Sequence, residues 1–493
     1  PPEMLKRQRI PPLPVALAAV HFPKTKAEAA LARRRLAFDE LFFLQLRVLR
    51  MRADMRHRAA YSIPARIDDV KRFVASLPFR LTDSQRKAAW EILKNMEKPV
   101  PMNRLLEGDV GSGKTVVAAI AACNASLEGY QIAVMAPTEV LAQQHFVSFG
   151  KLLSPFGICV GLLTGTAALV YEPELETGRK VKKQECIREV EKNLLSVAVG
   201  THALISKNVK FSRLGLVVLD EQHRFGVAQR AALMRNQESG IRNKEESKSS
   251  IIPHLLSMTA TPIPRTLALT VFGDLDISLL AEMPKGRKKI LTKVIPHLER
   301  DAAYELVRAE VAKGRQAFVI CPRIEISEKD PAKAPSFSSR RYWMQVRQAE
   351  VKAVTAEHTR LSEEIFPRLR VAMLHGKMKP REKEEAMRKF KNRETDILVS
   401  TSVVEVGVDV PNATVMLVEG ADAFGLAQLH QFRGRVGRAE HQSYCLLLAG
   451  GQEQENSRRL KALVESENGF ELAERDLQIR GPGDFLGPRQ WGL

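Results

Sequence analysis

The chain has 493 residues, enough for two to four domains of about 150 residues each. Hydrophobic residues make up 44% and charged residues 27% of the sequence, as in ordinary globular proteins, and no stretch approaches the ~20 consecutive apolar residues of a membrane span. The formal net charge of +19 favours a polyanionic partner such as a nucleic acid, with a general solubility charge as the alternative.

The five cysteines lie far apart and form no Cys-x-x-Cys pair, so the sequence predicts neither a zinc site nor a redox motif. Most have apolar neighbours, which indicates reduced and buried thiols of a cytosolic protein. The first residues, PPEMLKRQRI, lack an initiating Met and the apolar core of a signal peptide. We therefore expect a cytoplasmic fragment of a longer protein, with no membrane attachment.

The first predicted element is a long helix over residues 27–56, inside a segment at 1–76 that is rich in Leu, Ala and Arg. Leu41, Leu44 and Val48 recur there at helical spacing. The helix could be a scaffold or could face DNA, and we favour a scaffold.

Short apolar strands that alternate with helices begin near Leu77 and form two series. They are too apolar for half-exposed strands, which is typical of a parallel sheet covered on both faces. The alternation predicts two α/β domains, separated by an exposed linker at Met283–Ile290. Polar inserts at Arg235–Ser250 and Ser327–Glu364 carry no motif that we can assign. The predicted strands are Gln131–Pro137, Ser196–Thr201, Leu214–Asp220, Leu255–Thr261, Ala317–Pro322, Arg370–Gly376, Asp396–Ser402, Thr414–Gly420 and Tyr444–Gly450.

The strongest motif is a glycine-rich loop, GDVGSGKT, with the spacing G-x-x-x-x-G-K-[ST] of a phosphate-binding loop. Its glycines let backbone N–H groups point at phosphate oxygens, and the predicted helix Thr115–Leu127 adds its positive N-terminal end. Lys114 would reach the β- and γ-phosphates of ATP, and Thr115 would ligate Mg²⁺. The predicted nucleotide-binding residues of the loop are Gly108, Asp109, Val110, Gly111, Ser112, Gly113, Lys114 and Thr115.

An acidic pair, Asp220 and Glu221, ends an apolar strand and is followed by Gln222 and His223. Asp220 would hold Mg²⁺, and Glu221 would polarise the attacking water as a general base. An isolated acidic pair after a strand can also be a solvated turn. Its position about a hundred residues after a phosphate-binding loop favours ATP hydrolysis.

Together the loop and DEQH resemble the core of superfamily 2 helicases, and further motifs follow in that family's order. LPFRLTDSQ resembles the adenine-recognising motif, which implies nucleotide contacts for Phe79 and Gln85, although Gln85 alone would be an ordinary helix-start residue. APTEVLAQQH, LTG and GTHALI resemble DNA-backbone motifs, and MTATPIPRT resembles the motif that couples hydrolysis to movement.

Two second-lobe motifs complete the resemblance. STSVVEVGVDVP resembles the motif that contacts both DNA and nucleotide, which implies nucleotide contacts for Gly407 and Asp409. QFRGRVGR resembles the motif whose arginines face the γ-phosphate, which implies that Arg435 and Arg438 act in catalysis, with a basic surface helix as the alternative. Gln222 and His223 belong to the implied catalytic set through DEQH.

The segment ERDLQIRGPGDFLG (Glu474–Gly487) resembles the translocation motif that the RecG family shares with the transcription-repair coupling factor Mfd. LLEGDVGSGKTVVA, GRQAFVICPRIEISEK and HFPKTKAEAALARRRLAFDELFFLQL favour the RecG family. That family implies an α/β fold of two tandem RecA-like P-loop lobes with parallel sheets, an N-terminal helical linker and a C-terminal helical hairpin. The expected domains are a linker after a missing wedge domain at 1–76, an ATP-binding lobe at 77–284, a C-terminal lobe at 285–450, and the hairpin with the translocation motif at 451–493.

The resemblance implies an ATP-dependent DNA helicase that acts on branched or duplex DNA in recombination and repair, with ATP and Mg²⁺ as cofactors. The sequence indicates no protein partner. A double-stranded DNA translocase like Mfd, another superfamily 2 helicase acting on RNA, and a non-hydrolysing DNA-binding module are the alternatives. Loss of the translocation motif would favour the RNA enzyme, and loss of Lys114, Asp220, Glu221 or Arg438 would favour the binding module.

Overall fold

The computed structural model places the two predicted α/β units in separate sheets. It describes residues 2–175, 178–206, 208–221, 251–260, 275–282, 288–296, 299–322, 354–376, 378–401, 410–437, 441–449, 454–466 and 468–480. Among the helices of these residues, none combines the length and apolar character needed to cross a bilayer.

Five helices precede the first strand, and the long helix predicted at 27–56 is confirmed as α3. Its N-cap is Thr25, whose side chain accepts a hydrogen bond from the Glu28 amide. Arg35 is buried on α3, where it donates to the Pro11 carbonyl oxygen and pairs with Asp39. This buried anchor supports the scaffold interpretation. The helices are α1 Pro2–Gln8, α2 Leu13–His21, α3 Lys26–Arg56, α4 Ile67–Ser76 and α5 Asp83–Met96.

Within the described residues, the first sheet has nine strands in the order β5-β4-β3-β6-β2-β7-β8-β1-β9. All neighbours are parallel except β3–β4 and β4–β5, so the sheet ends in an antiparallel extension that the sequence pattern did not predict. Its elements are β1 Asn103–Gly108, α6 Lys114–Leu127, β2 Gln131–Met135, α7 Glu139–Leu153, β3 Val160–Leu163, β4 Ala168–Val170, β5 Arg179–Lys180, α8 Lys183–Glu191, β6 Val197–Gly200, β7 Leu214–Asp220, β8 His254–Thr259 and β9 Asp276–Leu280.

The second sheet, counted over the same described ranges, has six parallel strands in the order β10-β15-β14-β11-β13-β12. The predicted strands of both series are confirmed, most of them one or two residues shorter than expected. The elements are β10 Leu291–Ile295, α9 Arg300–Ala312, β11 Gln316–Ile320, β12 Val371–Leu374, α10 Pro380–Lys391, β13 Ile397–Ser400, β14 Ala413–Val418, α11 Leu426–Arg433, β15 Tyr444–Leu448, α12 Gln454–Glu465 and α13 Gly469–Arg480.

The two last helices, α12 and α13, contact each other and α11 of the second lobe. We call α12 and α13 the C-terminal helical pair. Arg459 on α12 donates to the Phe424 carbonyl oxygen at 2.6 Å, which ties the pair to the loop before α11. Arg458 beside it is exposed. The glycine-proline-glycine part of the translocation motif, at 481–483, lies outside the described residues.

Buried thiols were predicted, and four of the five cysteines are buried. Burial raises the pKa of Cys123 to about 12 and that of Cys186 to about 11, so these thiols stay protonated and unreactive. Cys159 is the exception because it is exposed, directly before β3.

Candidate ATP site

The phosphate-binding loop connects β1 to α6 and has a backbone that requires glycine. Gly111 and Gly113 have φ angles of 83° and 86°, in the left-handed region that favours glycine. A Cβ atom on Gly113 would also lie 2.3 Å from Nε2 of Gln85. The Lys114 ammonium group folds back onto the loop and donates to the carbonyl oxygens of Gly108 at 2.6 Å and Asp109 at 2.9 Å.

Charged groups of both lobes act on Lys114. Burial lowers the pKa of its ammonium group, and the nearby carboxylates of Asp220, Glu221 and Asp109 oppose that shift. Arg435 of the second lobe is buried and lowers the same pKa by charge repulsion. The structure therefore gathers the predicted loop lysine, acidic pair and second-lobe arginine within electrostatic reach of one another.

The acidic pair sits at the carboxyl end of β7, where the parallel strands of the first sheet bring it to the same edge as the loop after β1. Asp220 is buried and accepts hydrogen bonds from His145 Nε2 at 2.6 Å and from the Glu221 amide at 3.1 Å. Burial raises the pKa of Asp220, but His145, Lys114 and the amide outweigh burial and hold it below its ordinary value. Asp220 is thus kept ionised, as a metal ligand must be.

Glu221 has a φ angle of 52°, the left-handed region that a residue with a Cβ atom rarely adopts. Such a conformation costs on the order of 1 kcal/mol and clusters at functional sites, where surrounding structure maintains it. The strain turns the chain sharply at the end of β7, so Asp220 and Glu221 do not follow the alternation of a strand.

His145 is a functional residue that the sequence motifs did not single out. It lies on α7 at the end of APTEVLAQQH, a motif predicted to contact the DNA backbone, and it is buried against Asp220. A histidine at a helical position next to apolar residues gives no signal by itself, because a core histidine looks the same. Its partner is 75 residues away in the sequence.

Gln85 supports the phosphate loop from α5. Its side-chain oxygen accepts from the Thr82 amide in a capping box, and its Nε2 donates to the Ser112 carbonyl oxygen at 2.8 Å. The helix-start role is therefore present, and an adenine contact stays a prediction. Phe79, the other predicted adenine residue, is half-exposed in the segment before α5.

The motifs predicted to contact DNA follow the carboxyl ends of three neighbouring strands. APTEVLAQQH follows β2, LTG ends β3 and GTHALI ends β6. Since the order β3-β6-β2-β7 makes these strands neighbours of the acidic-pair strand, the DNA motifs and the nucleotide motifs share one edge. Thr166, the residue after LTG, donates to Glu139 of APTEVLAQQH at 2.9 Å, which ties the ends of these two motifs together.

Several predicted site residues lie outside the described residues. These are Gln222, His223, Gly407, Asp409 and Arg438. Asp109 and Val110 are described, but their side chains face the second lobe. The partners of Asp109 are His430 and the Gly469 amide, which the sequence motifs did not predict.

The loop also fits a nucleoside triphosphate. Ser112 is fully buried, and its Oγ has no hydrogen-bond partner among the described residues. Helix α6 begins after Gly113 with no side-chain cap, so backbone donors at its N-terminus remain for phosphate oxygens. A buried hydroxyl, an uncapped helix start and a lysine that donates to two loop carbonyls suit a phosphate group.

Comparisons with known proteins agree with this geometry. The DEAD/DEAH box helicase family matches residues 82–270, and the helicase conserved C-terminal domain matches residues 300–440. Over its whole length the chain is 47% identical to the ATP-dependent DNA helicase RecG of Synechocystis sp. and 42% identical to that of Bacillus subtilis. It covers 54% and 66% of those proteins.

Solved structures give the same result. A structure of RecG bound to a three-way DNA junction superposes with a TM-score of 0.76 at 38% identity, covering 98% of this chain and 58% of that one. A structure of the helicase MrfA bound to DNA, at a TM-score of 0.54 and 17% identity, shares the fold alone; it covers 83% of this chain and 56% of that one. The fold of two tandem RecA-like lobes is thus shown, and the chain belongs to the RecG family of ATP-dependent DNA helicases.

Proposed function

We propose that this chain is the ATP-driven motor of a translocase that remodels branched DNA by fork regression and Holliday-junction branch migration. The observation that carries the proposal is the convergence of Lys114, Asp220, Glu221 and Arg435 at one loop in a chain whose whole length resembles RecG helicases. The chain spans between half and two thirds of the curated relatives that it matches, so activity on junctions is proposed for the protein that carries it.

The site residues would work in sequence. When ATP binds, Lys114 exchanges its two carbonyl partners for the β- and γ-phosphates. Thr115 and Asp220 would hold Mg²⁺, which when bound offsets the negative charge of the phosphates. Glu221 takes a proton from the attacking water, while Arg435 and Arg438 balance charge on the γ-phosphate from the second lobe.

The opening and closing of the cleft between the lobes would then move DNA along the edge that carries the backbone motifs. We assign residues 77–284 to the ATP-binding lobe and 285–450 to the C-terminal lobe. Residues 1–76 form the helical linker, and 451–493 form the hairpin with the translocation motif. A protein that acts on DNA in this way would work in the cytoplasm.

The test is ATP hydrolysis by the 493-residue chain with single-stranded DNA, duplex DNA, a three-way junction and single-stranded RNA at equal nucleotide concentration. We expect the junction to stimulate hydrolysis most. Equal stimulation by duplex and junction would favour a double-stranded DNA translocase, and strongest stimulation by RNA would favour an RNA helicase. Hydrolysis that no nucleic acid stimulates would contradict the proposal.

A further inference from the structure

The Asp109 carboxylate belongs to the phosphate loop, but within the described residues both of its hydrogen bonds go to groups outside its own lobe. One oxygen accepts from His430 Nε2 on α11 at 2.6 Å. The other accepts from the Gly469 amide, the first residue of α13, at 3.1 Å. Asp109 and His430 are both buried, at 8% and 6% exposure, so water does not compete for these bonds.

The contact continues from His430 to the end of α12. Arg433 Nη2 bonds to His430 Nδ1 at 2.9 Å, and Arg433 Nη1 donates to the carbonyl oxygens of Leu463 at 2.7 Å and Ser466 at 2.8 Å. The Asp109 carboxylate is therefore joined to both members of the C-terminal helical pair, directly through Gly469 and indirectly through His430 and Arg433.

The hydrogen-bond partners fix the state of the His430 ring. A guanidinium group has only donors, so Nδ1 of His430 must accept from Arg433. The ring proton is then on Nε2, which donates to Asp109. Burial raises the pKa of Asp109, but the bonds from His430 and Gly469 outweigh burial and keep it below its ordinary value. The link joins a neutral imidazole to a carboxylate.

The backbones also approach closely at this point. A Cβ atom on Gly434, directly after α11, would lie 2.8 Å from Cβ of Val110, which follows Asp109 in the loop. There is no room for a side chain between the end of α11 and the loop. A displacement of the loop at Asp109 and Val110 therefore also displaces the end of α11, because the two are in close contact.

Nucleotide binding acts on Asp109, one of these two loop residues, and on Gly108 before it. Lys114 donates to the carbonyl oxygens of Gly108 and Asp109, and it must leave both to reach a phosphate. Loss of these bonds frees the Asp109 backbone on one side while its carboxylate stays bonded to the second lobe on the other. Asp109 thus contacts Lys114, which moves when the nucleotide binds, through its backbone. Through its carboxylate it contacts His430 and Gly469.

We infer that the Asp109–His430 contact transmits nucleotide occupancy of the phosphate loop to the C-terminal helical pair, with His430 as a positioning residue. The inference rests on the proposed motor function, because α13 contains the first residues of the predicted translocation motif, from Glu474 to Arg480. Lobe closure alone moves the second sheet, whereas this link gives the helical pair its own connection to the nucleotide. It assigns a coupling role to an acidic side chain inside the phosphate loop.

The test is amide hydrogen exchange of the 493-residue chain with and without a non-hydrolysable ATP analogue, in the absence of DNA. We expect the wild type to change its exchange in the phosphate loop and over residues 454–480. His430→Phe fills the same space without the donor or the acceptor, so the response at 454–480 should be lost while the response of the loop remains. His430→Gln keeps an amide donor and an oxygen acceptor and should restore most of the response.

A second variant guards against a folding defect in His430→Phe. Asp109→Asn has the same size, but its amide has one acceptor, so one of the two bonds must be lost whichever way the group turns. It too should lose the response at 454–480. If that response survives in both variants, or is missing in the wild type, the coupling inference is wrong.

DNA-stimulated hydrolysis is measured separately, on the same preparations. A wild type that shows the exchange response without DNA stimulation would contradict the motor proposal and leave the link intact. In the longer protein that carries this chain, His430→Phe should consume more ATP per strand displaced from a three-way junction than the wild type, which a purely structural role would not cause.

Discussion

Two buried histidine–aspartate pairs border the candidate ATP site, and they share the same hydrogen-bond geometry in different places of the fold. In each, an imidazole Nε2 lies 2.6 Å from a carboxylate whose other oxygen accepts a backbone N–H. His145 and Asp220 both belong to the first lobe. His430 and Asp109 belong to different lobes. The same chemical pair therefore orients the carboxylate proposed to hold Mg²⁺ in one place and joins the two lobes in the other.

The number of residues between the partners also differs, because one pair lies within a lobe and the other joins two lobes. His145 and Asp220 are 75 residues apart within one sheet unit, whereas His430 and Asp109 are 321 residues apart. A change at the first pair should affect hydrolysis through the metal site. A change at the second pair should affect how much DNA movement each hydrolysed ATP produces. The predictions below test that division, from the largest expected effect to the smallest.

Lys114→Ala should abolish ATP hydrolysis, because the ammonium group that reaches the phosphates is lost. DNA affinity should stay close to that of the wild type, since the predicted DNA motifs lie on other strands. Hydrolysis and DNA binding by fluorescence anisotropy measure the two effects, with the exposed Lys98→Ala as the matched control. Hydrolysis at the parental rate would show that the ATP site is assigned wrongly. The two histidine–aspartate pairs would then not border an ATP site.

Glu221→Gln should bind ATP and turn it over about 10²–10⁴-fold more slowly, because the amide keeps the shape and loses the general base. A fluorescent ATP analogue measures binding, and single-turnover hydrolysis measures the chemical step. The substitution leaves both histidine–aspartate pairs intact. A normal rate with a weakened ATP affinity would instead make Glu221 a binding residue.

His145→Ala should weaken the affinity for the divalent ion by about 10–100-fold, the usual effect of removing a group that orients a metal ligand. A titration of Mn²⁺ binding by electron paramagnetic resonance in the presence of ADP measures this without hydrolysis. His145→Gln keeps a donor towards Asp220 and serves as the conservative control. The exchange response of residues 454–480 should be normal once the ion is saturating; its loss would erase the distinction between the two pairs.

The sequence predicted the parts of this site that are local in the chain. The loop spacing located Gly108–Thr115, and an apolar strand followed by two carboxylates located Asp220 and Glu221, because each motif lies at the end of one strand. Parallel strands then place these ends at a common edge, so their proximity was predictable from the fold class. The long helix α3 was predictable for the same reason, since its apolar spacing is local.

The partners of these motifs could not be predicted from spacing. Whether the Asp109 carboxylate faces a phosphate or another lobe depends on how α11 and α13 pack, and no local pattern records that packing. His145 looks like a core histidine until β7 is placed beside α7. The short strands β4 and β5 were missed because three and two residues are too few for a periodic pattern.

The smallest expected effect is on stability, and it concerns the pair that joins the lobes. Asp109 has a folded-state pKa below its ordinary value of 3.8, so its ionised form stabilises the fold at pH values above that ordinary value. The contribution is lost as the pH falls through the lower, folded-state pKa. Asp109→Asn should therefore lower the free energy of unfolding by about 1.5 kcal/mol at neutral pH, the order of one buried hydrogen bond to a charged group. The deficit should shrink as the pH falls below 3.8, because the wild-type carboxyl becomes protonated and loses its advantage.

Urea unfolding of the wild type and Asp109→Asn at pH values from 7 down to about 2.5 measures this deficit, since the difference between the two proteins cancels the other titrating groups. The exposed Asp54→Asn is the control and should match the wild type throughout. A deficit that grew on acidification would mean that Asp109 is protonated in the folded protein. Its bond to His430 would then join two neutral groups. The two histidine–aspartate pairs would share their hydrogen-bond geometry but differ in the charge of the carboxyl group.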